Sequence, residues 1–206
     1  MQLKGVKSLK MNSKIWLDIF FQSLKKFEEE SNIDGDAEWT ALMMKVMNDM
    51  GSKMNYRVVS RHSESKLDSG EYLGIDVMFL DKTKYSPTRE MGVWDPFILP
   101  SAVVEHENDY SHEKIAYDLW KIACIRTELK VLICYQAGWE QVDSLRKGLE
   151  NIIISNGLMS KDNGELLVII GDGKEGDKKW AAGTPDWRSY LNVFQWNNKL
   201  VPVLLG

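Results

Sequence analysis

A continuous apolar segment, Lys130 to Tyr135, narrows the possible folds more than any other part of the sequence. Such a run is typical of a strand in a sheet that is covered on both faces. The segments 111–126 and 139–154 on either side of it repeat apolar residues at helical spacing. Two strands joined through the 111–126 helix should lie parallel, by a right-handed crossover. The sequence therefore predicts an α/β fold, with a mixed central sheet flanked by helices.

The rest of the pattern supplies further elements for this sheet. Helices are predicted at 14–30 and 38–50, with Asp36 as the cap of the second helix and Gly51 closing it. Further strands are predicted at Tyr56–Ser60, Leu73–Leu80, Ala102–Asn108, Leu166–Ile170, Val193–Phe194 and Val201–Leu205. The first three strands can form an antiparallel meander. A long connection at 81–100 is of the kind that is often functional.

Length and composition indicate one domain of ordinary globular type, or one domain with a small appendage. The chain has 206 residues and a formal net charge of -4, so a nucleic-acid partner would need a local positive patch. Its two cysteines, Cys124 and Cys134, lie in apolar runs and are expected to be buried thiols, not part of a disulfide framework or zinc site. No signal peptide and no apolar run of bilayer-spanning length is recognised, which favours a cytoplasmic protein without a membrane partner.

Carboxylates fall on two neighbouring predicted strands. Glu105 and Glu107 are two residues apart, so they share a face of their strand and His106 points to the other. Asp76 lies within the predicted Leu73–Leu80 strand and joins that face if the strands pair. Carboxylates are costly to bury unpaired, and a hard cation such as Mg²⁺ is the usual remedy. β propensity also disfavours an aspartate in an apolar strand, so the pattern predicts a metal-dependent hydrolase.

Two other residues are candidates for the same site. Lys121, on the helix after the Glu105 strand, lies with Asp118 beside the apolar stripe and could lean over the sheet to assist a water molecule. Helix geometry alone favours the alternative, in which its stem covers the core and its head is in water. Glu38 is explained by the dipole of the second helix, and a role as a fourth ligand is the alternative.

Two further motifs are given structural interpretations. Gly171 to Gly176 matches G-x-G-x-x-G, but no helix is predicted after it, so a charged hairpin or loop is favoured over a dinucleotide site. Trp180, Trp187 and Trp196 lie near basic residues and could stack on single strands. Packing of these aromatic residues over a sheet edge is the favoured interpretation.

Residues 36–136 resemble the PD-(D/E)xK nuclease superfamily, whose restriction-endonuclease-like core is a helix, three meandering strands, a helix and a strand. Asp76 matches the motif aspartate, and Glu105-His106-Glu107 matches the (D/E)-x-K tripeptide. Glu38 is similar to a glutamate that some members carry on the first core helix. Glu107 stands in the lysine position. Some members carry glutamate or glutamine there, and others move the lysine to the following helix, where Lys121 lies.

The resemblance implies a three-layer restriction-endonuclease-like domain over residues 1–206, with its core at about 36–136, an N-terminal helix and a C-terminal αβ extension. It implies a nuclease that uses Mg²⁺ or Mn²⁺ and cleaves DNA or, less often, RNA. Asp76, Glu105 and Glu107 would hold the metal. Members are frequently homodimers. Two alternatives stay open, a non-catalytic binding or assembly protein that keeps the fold, and a metal-dependent hydrolase of a small phosphoester.

Overall fold

The computed structural model describes residues 8–28, 35–60, 74–83, 99–160, 164–174 and 186–204. In chain order the elements are α1 (Ser13–Glu28), α2 (Asp36–Met54), β1 (Tyr56–Ser60), β2 (Val77–Asp81), β3 (Ala102–Glu107), α3 (His112–Ala123), β4 (Leu129–Gln136), α4 (Trp139–Asn156), β5 (Glu165–Asp172), α5 (Trp187–Tyr190), β6 (Leu191–Trp196) and β7 (Leu200–Pro202). Within these residues no helix is long and apolar enough to cross a membrane.

The strands form one seven-stranded sheet in which their spatial order follows the sequence, β1 to β7. The first three pair antiparallel as the predicted meander. β3, β4 and β5 pair parallel, so the connection through α3 is the predicted crossover. β6 and β7 complete the sheet in antiparallel orientation. The mixed α/β sheet predicted from the sequence is therefore confirmed.

Helices cover both faces of this sheet and make three layers. α1 and α2 pack on the face that carries Val104, Val131 and Leu167. α3 and α4 pack on the face that carries Val103 and Leu132. Successive residues of a strand alternate between faces, so a strand between two helical layers is apolar throughout. All eight residues of β4 are accordingly buried.

The α2 helix begins earlier and ends later than the sequence predicts. Asp36 is its first helical residue and not its cap, because the capping position is held by Gly35 without a side-chain hydrogen bond. Gly51 does not close the helix, which continues to Met54. A Cβ on Gly51 would overlap the side chain of Val58 in β1. This glycine therefore permits close packing of helix on strand.

Other boundaries also differ from the predictions. β2 begins at Val77, so Asp76 lies just before the strand and not inside it; the chain enters through Gly74, whose φ of 69° is left-handed. α3 ends at Ala123, and the thiol of Cys124 is exposed where burial was predicted, whereas Cys134 is buried. The one-turn helix α5 was not predicted.

Several predictions fall outside the described residues. They include Leu73, most of the 81–100 connection, Gly176 and Trp180. Trp187 is described, and it is buried with its ring centroid 5.0 Å from that of Trp39 in α2.

Replacing Gly51 by alanine should destabilise the protein although alanine has the higher helix propensity. The new methyl group would collide with Val58 and press on the Tyr56 carbonyl oxygen, 3.2 Å away. Overpacking of this kind typically costs about 1–3 kcal/mol. Urea denaturation would measure the loss. The matched control is Gly148→Ala in α4, where a Cβ meets nothing within 4 Å. This substitution should raise the free energy of unfolding by about 0.5–1 kcal/mol. Equal effects at both positions would contradict this account of Gly51.

Candidate functional site

The pairing of β2 with β3 brings Asp76 opposite Glu105. Val77 pairs with Val104 in an antiparallel register, so the next position along places Asp76 across from Glu105. The Asp76 carboxylate is fixed there because its Oδ2 accepts a hydrogen bond from the backbone N–H of His106, at 3.0 Å. The pairing of β2 with β3 thus holds the two carboxylates beside each other.

Glu105 is a buried carboxylate on the sheet face that α3 and α4 cover. Its residue is only 1% exposed. Its Oε2 accepts from the Nζ of Lys121 at 2.9 Å. Its other oxygen, Oε1, is buried and has no hydrogen-bond partner among the described residues. Burial, with the nearby charge of Asp76, raises the pKa of Glu105 to about 9, and the Lys121 ammonium opposes this rise.

Lys121 reaches the sheet from α3. Its side chain is 18% exposed, and its ammonium contacts both Glu105 and Asp118 Oδ1, the latter at 3.1 Å. Burial alone would lower the pKa of Lys121, but the two carboxylates raise it and keep the amine protonated. The ammonium therefore lies over the sheet and is not simply a solvated head. A short connection after β3 leads to the Ser111 cap of α3, and this helix brings Lys121 back over Glu105.

Asp118 is a member of the cluster that the sequence analysis did not assign to the site. Its residue is only 8% exposed. Burial raises the pKa of Asp118, the Lys121 ammonium opposes this rise, and the charges of Glu107 and Asp76 add to it. The sequence feature that could have identified Asp118 is its spacing. It is three residues from both Ile115 and Lys121 and so falls within the buried stripe of α3.

Glu107 and Glu38 are placed differently. Glu107 is half-buried at the end of β3, where its Oε1 accepts from the backbone N–H of Asp109 at 2.7 Å, and its charge reaches Asp118. Glu38 is exposed in the first turn of α2, which packs on the opposite face of the sheet. The end of β3 and the start of α2 are nevertheless joined, since Asn108 donates to Thr40 Oγ1 at 2.6 Å. A site role for Glu38 stays a prediction.

His106 points to the other face of the sheet, as the strand alternation predicts, and enters a buried polar chain. The Trp39 indole donates to the Tyr135 hydroxyl at 2.6 Å, and this hydroxyl lies 2.8 Å from His106 Nε2. Because tryptophan can only donate, all three groups are satisfied when the Tyr135 hydroxyl donates its hydrogen to an unprotonated His106 Nε2. Burial lowers the pKa of His106 to about 4, which agrees with a neutral ring. These hydrogen bonds connect β3 and β4 to α2.

The cluster offers hard oxygen donors for a cation. Asp76 and Glu105 lie side by side, and Glu105 Oε1, which has no hydrogen-bond partner among the described residues, is the kind of buried acceptor that a cation would satisfy. Within the described ranges, no group of three or more His, Cys, Asp or Glu side chains is arranged to hold a metal ion. Mg²⁺ commonly keeps several waters and takes only one or two protein carboxylates, so the pair fits its chemistry.

Comparison of the chain with protein-family models, with curated proteins and with solved structures gives no match. The functional argument therefore depends on the geometry and chemistry of the residues themselves.

Replacing Tyr135 by phenylalanine should destabilise the protein. The Trp39 and His106 nitrogens would lose their hydroxyl partner, and buried unsatisfied polar groups cost about 1–3 kcal/mol each. Denaturant unfolding would measure the change. Tyr117→Phe is the matched control, because Tyr117 is 58% exposed and its hydroxyl is free to bond water, so about 0.5 kcal/mol or less is expected. A loss at Tyr135 no larger than that of the control would mean that the polar chain adds no net stability.

Proposed function

We propose that this protein is a metal-dependent nuclease that hydrolyses phosphodiester bonds, with DNA as its expected substrate. The observation that carries the proposal is Glu105, a buried carboxylate that lies beside Asp76, the residue just before β2, and binds the ammonium of Lys121. Carboxylates that hold a cation, together with a lysine, can stabilise the negative charge that develops at phosphate during phosphodiester hydrolysis.

Asp76 and Glu105 would hold Mg²⁺ or Mn²⁺, with Glu107 at the open end of the same strand face. A bound cation supplies Lewis-acid polarisation of a phosphoryl oxygen and neutralises charge that develops during displacement. The exposed fraction of Glu107 exceeds that of Glu105, so it lies nearer to solvent. This gradient suits an entry point for a hydrated cation.

Lys121 would serve as the positive group that positions water and stabilises the transition state. Its contact with Glu105 Oε2 fixes the ammonium over the cluster, and Asp118 holds it from the helix side. This arrangement supports the resemblance to PD-(D/E)xK nucleases in the respect where the sequence departs from their motif. Glu107 stands at the lysine position, and the lysine comes from the following helix. A cytoplasmic location and a homodimer stay predictions.

A second function is favoured by a specific observation. The ammonium of Lys121 already neutralises part of the cluster by contacting Glu105 and Asp118, so the fold is electrostatically supported without a cation. A binding or assembly protein that keeps a nuclease-like fold would show the same pairing. The two candidates differ in whether metal binds and whether phosphodiester bonds are cut.

Cleavage of labelled single- and double-stranded DNA and RNA in Mg²⁺, Mn²⁺ or EDTA tests the proposal. Metal-dependent cutting is expected, and Asp76→Asn, Glu105→Gln and Lys121→Met should each slow it by about 100-fold or more, since each removes charge that stabilises the transition state. Mg²⁺ should also raise the melting temperature of the wild type, and Asp76→Asn should reduce that rise.

Matched controls separate a site effect from a general charge effect. Lys114→Met removes an exposed ammonium on the same helix as Lys121, and Glu140→Gln removes an exposed carboxylate in α4; both should cut at nearly the wild-type rate. Each variant is compared by its melting curve, so that unfolding is not mistaken for lost catalysis. Absence of both cutting and metal stabilisation in the folded wild type would favour the binding protein. Cutting of small phosphoesters alone, without salt-dependent nucleic-acid binding, would favour the phosphoester hydrolase.

A further inference from the structure

Two large aromatic side chains are exposed together on the outer surface of α3. Tyr117 is 58% exposed and Trp120 is 50% exposed. They are three residues apart and therefore neighbours on the helix surface. Their ring centroids are 5.8 Å apart. We name these two residues the aromatic pair.

The aromatic pair borders the candidate site. The Nζ of Lys121 lies 5.8 Å from the centroid of the Tyr117 ring, within the range of a cation–π contact. The same ammonium binds Glu105 at 2.9 Å. A ligand that lies on the rings is thus continuous with the carboxylate cluster, through a group that already contacts both.

The rings are placed so that flat ligands can reach them. Their planes are tilted by 32°, so they are not stacked face on face and do not bury each other. Their high exposure means that much of each ring is open to solvent. Nucleobases stack well on tyrosine and tryptophan, with little sequence preference, because every base has a π face.

We propose that the aromatic pair stacks unpaired bases of the nucleic-acid strand that enters the candidate site. This inference rests on the proposed nuclease function and specifies its substrate class as single-stranded or locally unpaired nucleic acid. Paired bases in a duplex are hidden in their own stack and cannot offer a face to the rings. The Lys121 ammonium is already shared by Glu105 and Asp118, so the rings, and not this charge, supply the contact with a base.

The test is fluorescence anisotropy with a labelled 20-nucleotide oligothymidine and with a labelled duplex, in EDTA so that metal-dependent cutting does not interfere. The wild type should bind the single strand more tightly than the duplex. Trp120→Leu should weaken single-strand binding about ten-fold or more, as removal of a base-stacking aromatic does. Trp120→Phe keeps an aromatic face and should restore most of the affinity.

The matched control is Trp139→Leu, since Trp139 is 59% exposed but lies in α4. It should leave binding nearly unchanged. Tyr117→Leu should act like Trp120→Leu, but Trp120 is the cleaner probe because Tyr117 also contacts Lys121. Melting curves of all variants confirm that each is folded.

The outcomes keep this inference apart from the proposed function. Metal-dependent cutting with single-strand affinity unchanged in Trp120→Leu would overturn the stacking role and leave the nuclease standing. No cutting of any substrate, together with binding lost in Trp120→Leu, would support the aromatic pair and remove the nuclease. Tighter binding of duplex than of single strand would overturn the inference. Loss of self-association in Trp120→Leu, without an effect on oligonucleotide binding, would also overturn the inference. The rings would then form an interface between copies of the protein.

Discussion

The pairing of β3 on both of its edges is the constraint on which the candidate site depends. β3 is antiparallel to β2 and parallel to β4, so it joins the two halves of the sheet. One edge sets the register that puts Asp76 beside Glu105. The other edge requires a crossover helix, and that helix carries Lys121 back over the same face. A one-residue slip of β3 would send Glu105 to the α1–α2 side and would leave Lys121 facing the wrong side chain.

The same arrangement explains why a charged residue survives in such an apolar sheet. Glu105 neighbours Leu132 across the parallel pairing and lies under α3, where an isolated carboxylate would be severely destabilising. The Lys121 ammonium offsets only part of this destabilisation, because Asp76 lies close and one oxygen of Glu105 has no described hydrogen-bond partner. Replacing a buried ion pair by apolar residues is often neutral or stabilising, so a contribution to stability gives little reason to keep this pair. A site in which charge is concentrated at some cost in stability is more readily explained by binding or catalysis.

The sequence predicts the fold well where the hydrophobic pattern is strong. The apolar run of β4 and the stripe of α2, which includes Trp39 and Met43, become the buried residues of a three-layer structure. Prediction fails where local signals and tertiary contacts point to different structures. Gly51 has the form of a helix terminator, and only the approach of Val58 shows why it lies within the helix. Asp76 follows a glycine turn that single-sequence reasoning merges with the strand.

The arrangement of the candidate residues could also be predicted in part, and the rest depends on tertiary contacts. Strand alternation alone puts Glu105 and Glu107 on one face, and the meander lets Asp76 join them. Helix geometry alone favoured a Lys121 head in water, because its position flanks the apolar stripe. The fold decides this by closing α3 over β3, and the same closure buries Asp118.

The two oxygens of the Glu105 carboxylate have different surroundings, and this difference links these observations. Lys121 contacts Oε2, while Oε1 is buried without a described hydrogen-bond partner on the carboxylate that faces Asp76. An ammonium and a cation therefore need not compete for one atom, since each has an oxygen of its own. If Lys121 held both oxygens, a cation would first have to displace it and leave the ammonium unpaired in a partly buried position. Because it holds one, the ion pair of Lys121 with Glu105 is compatible with the cation that the proposed chemistry requires.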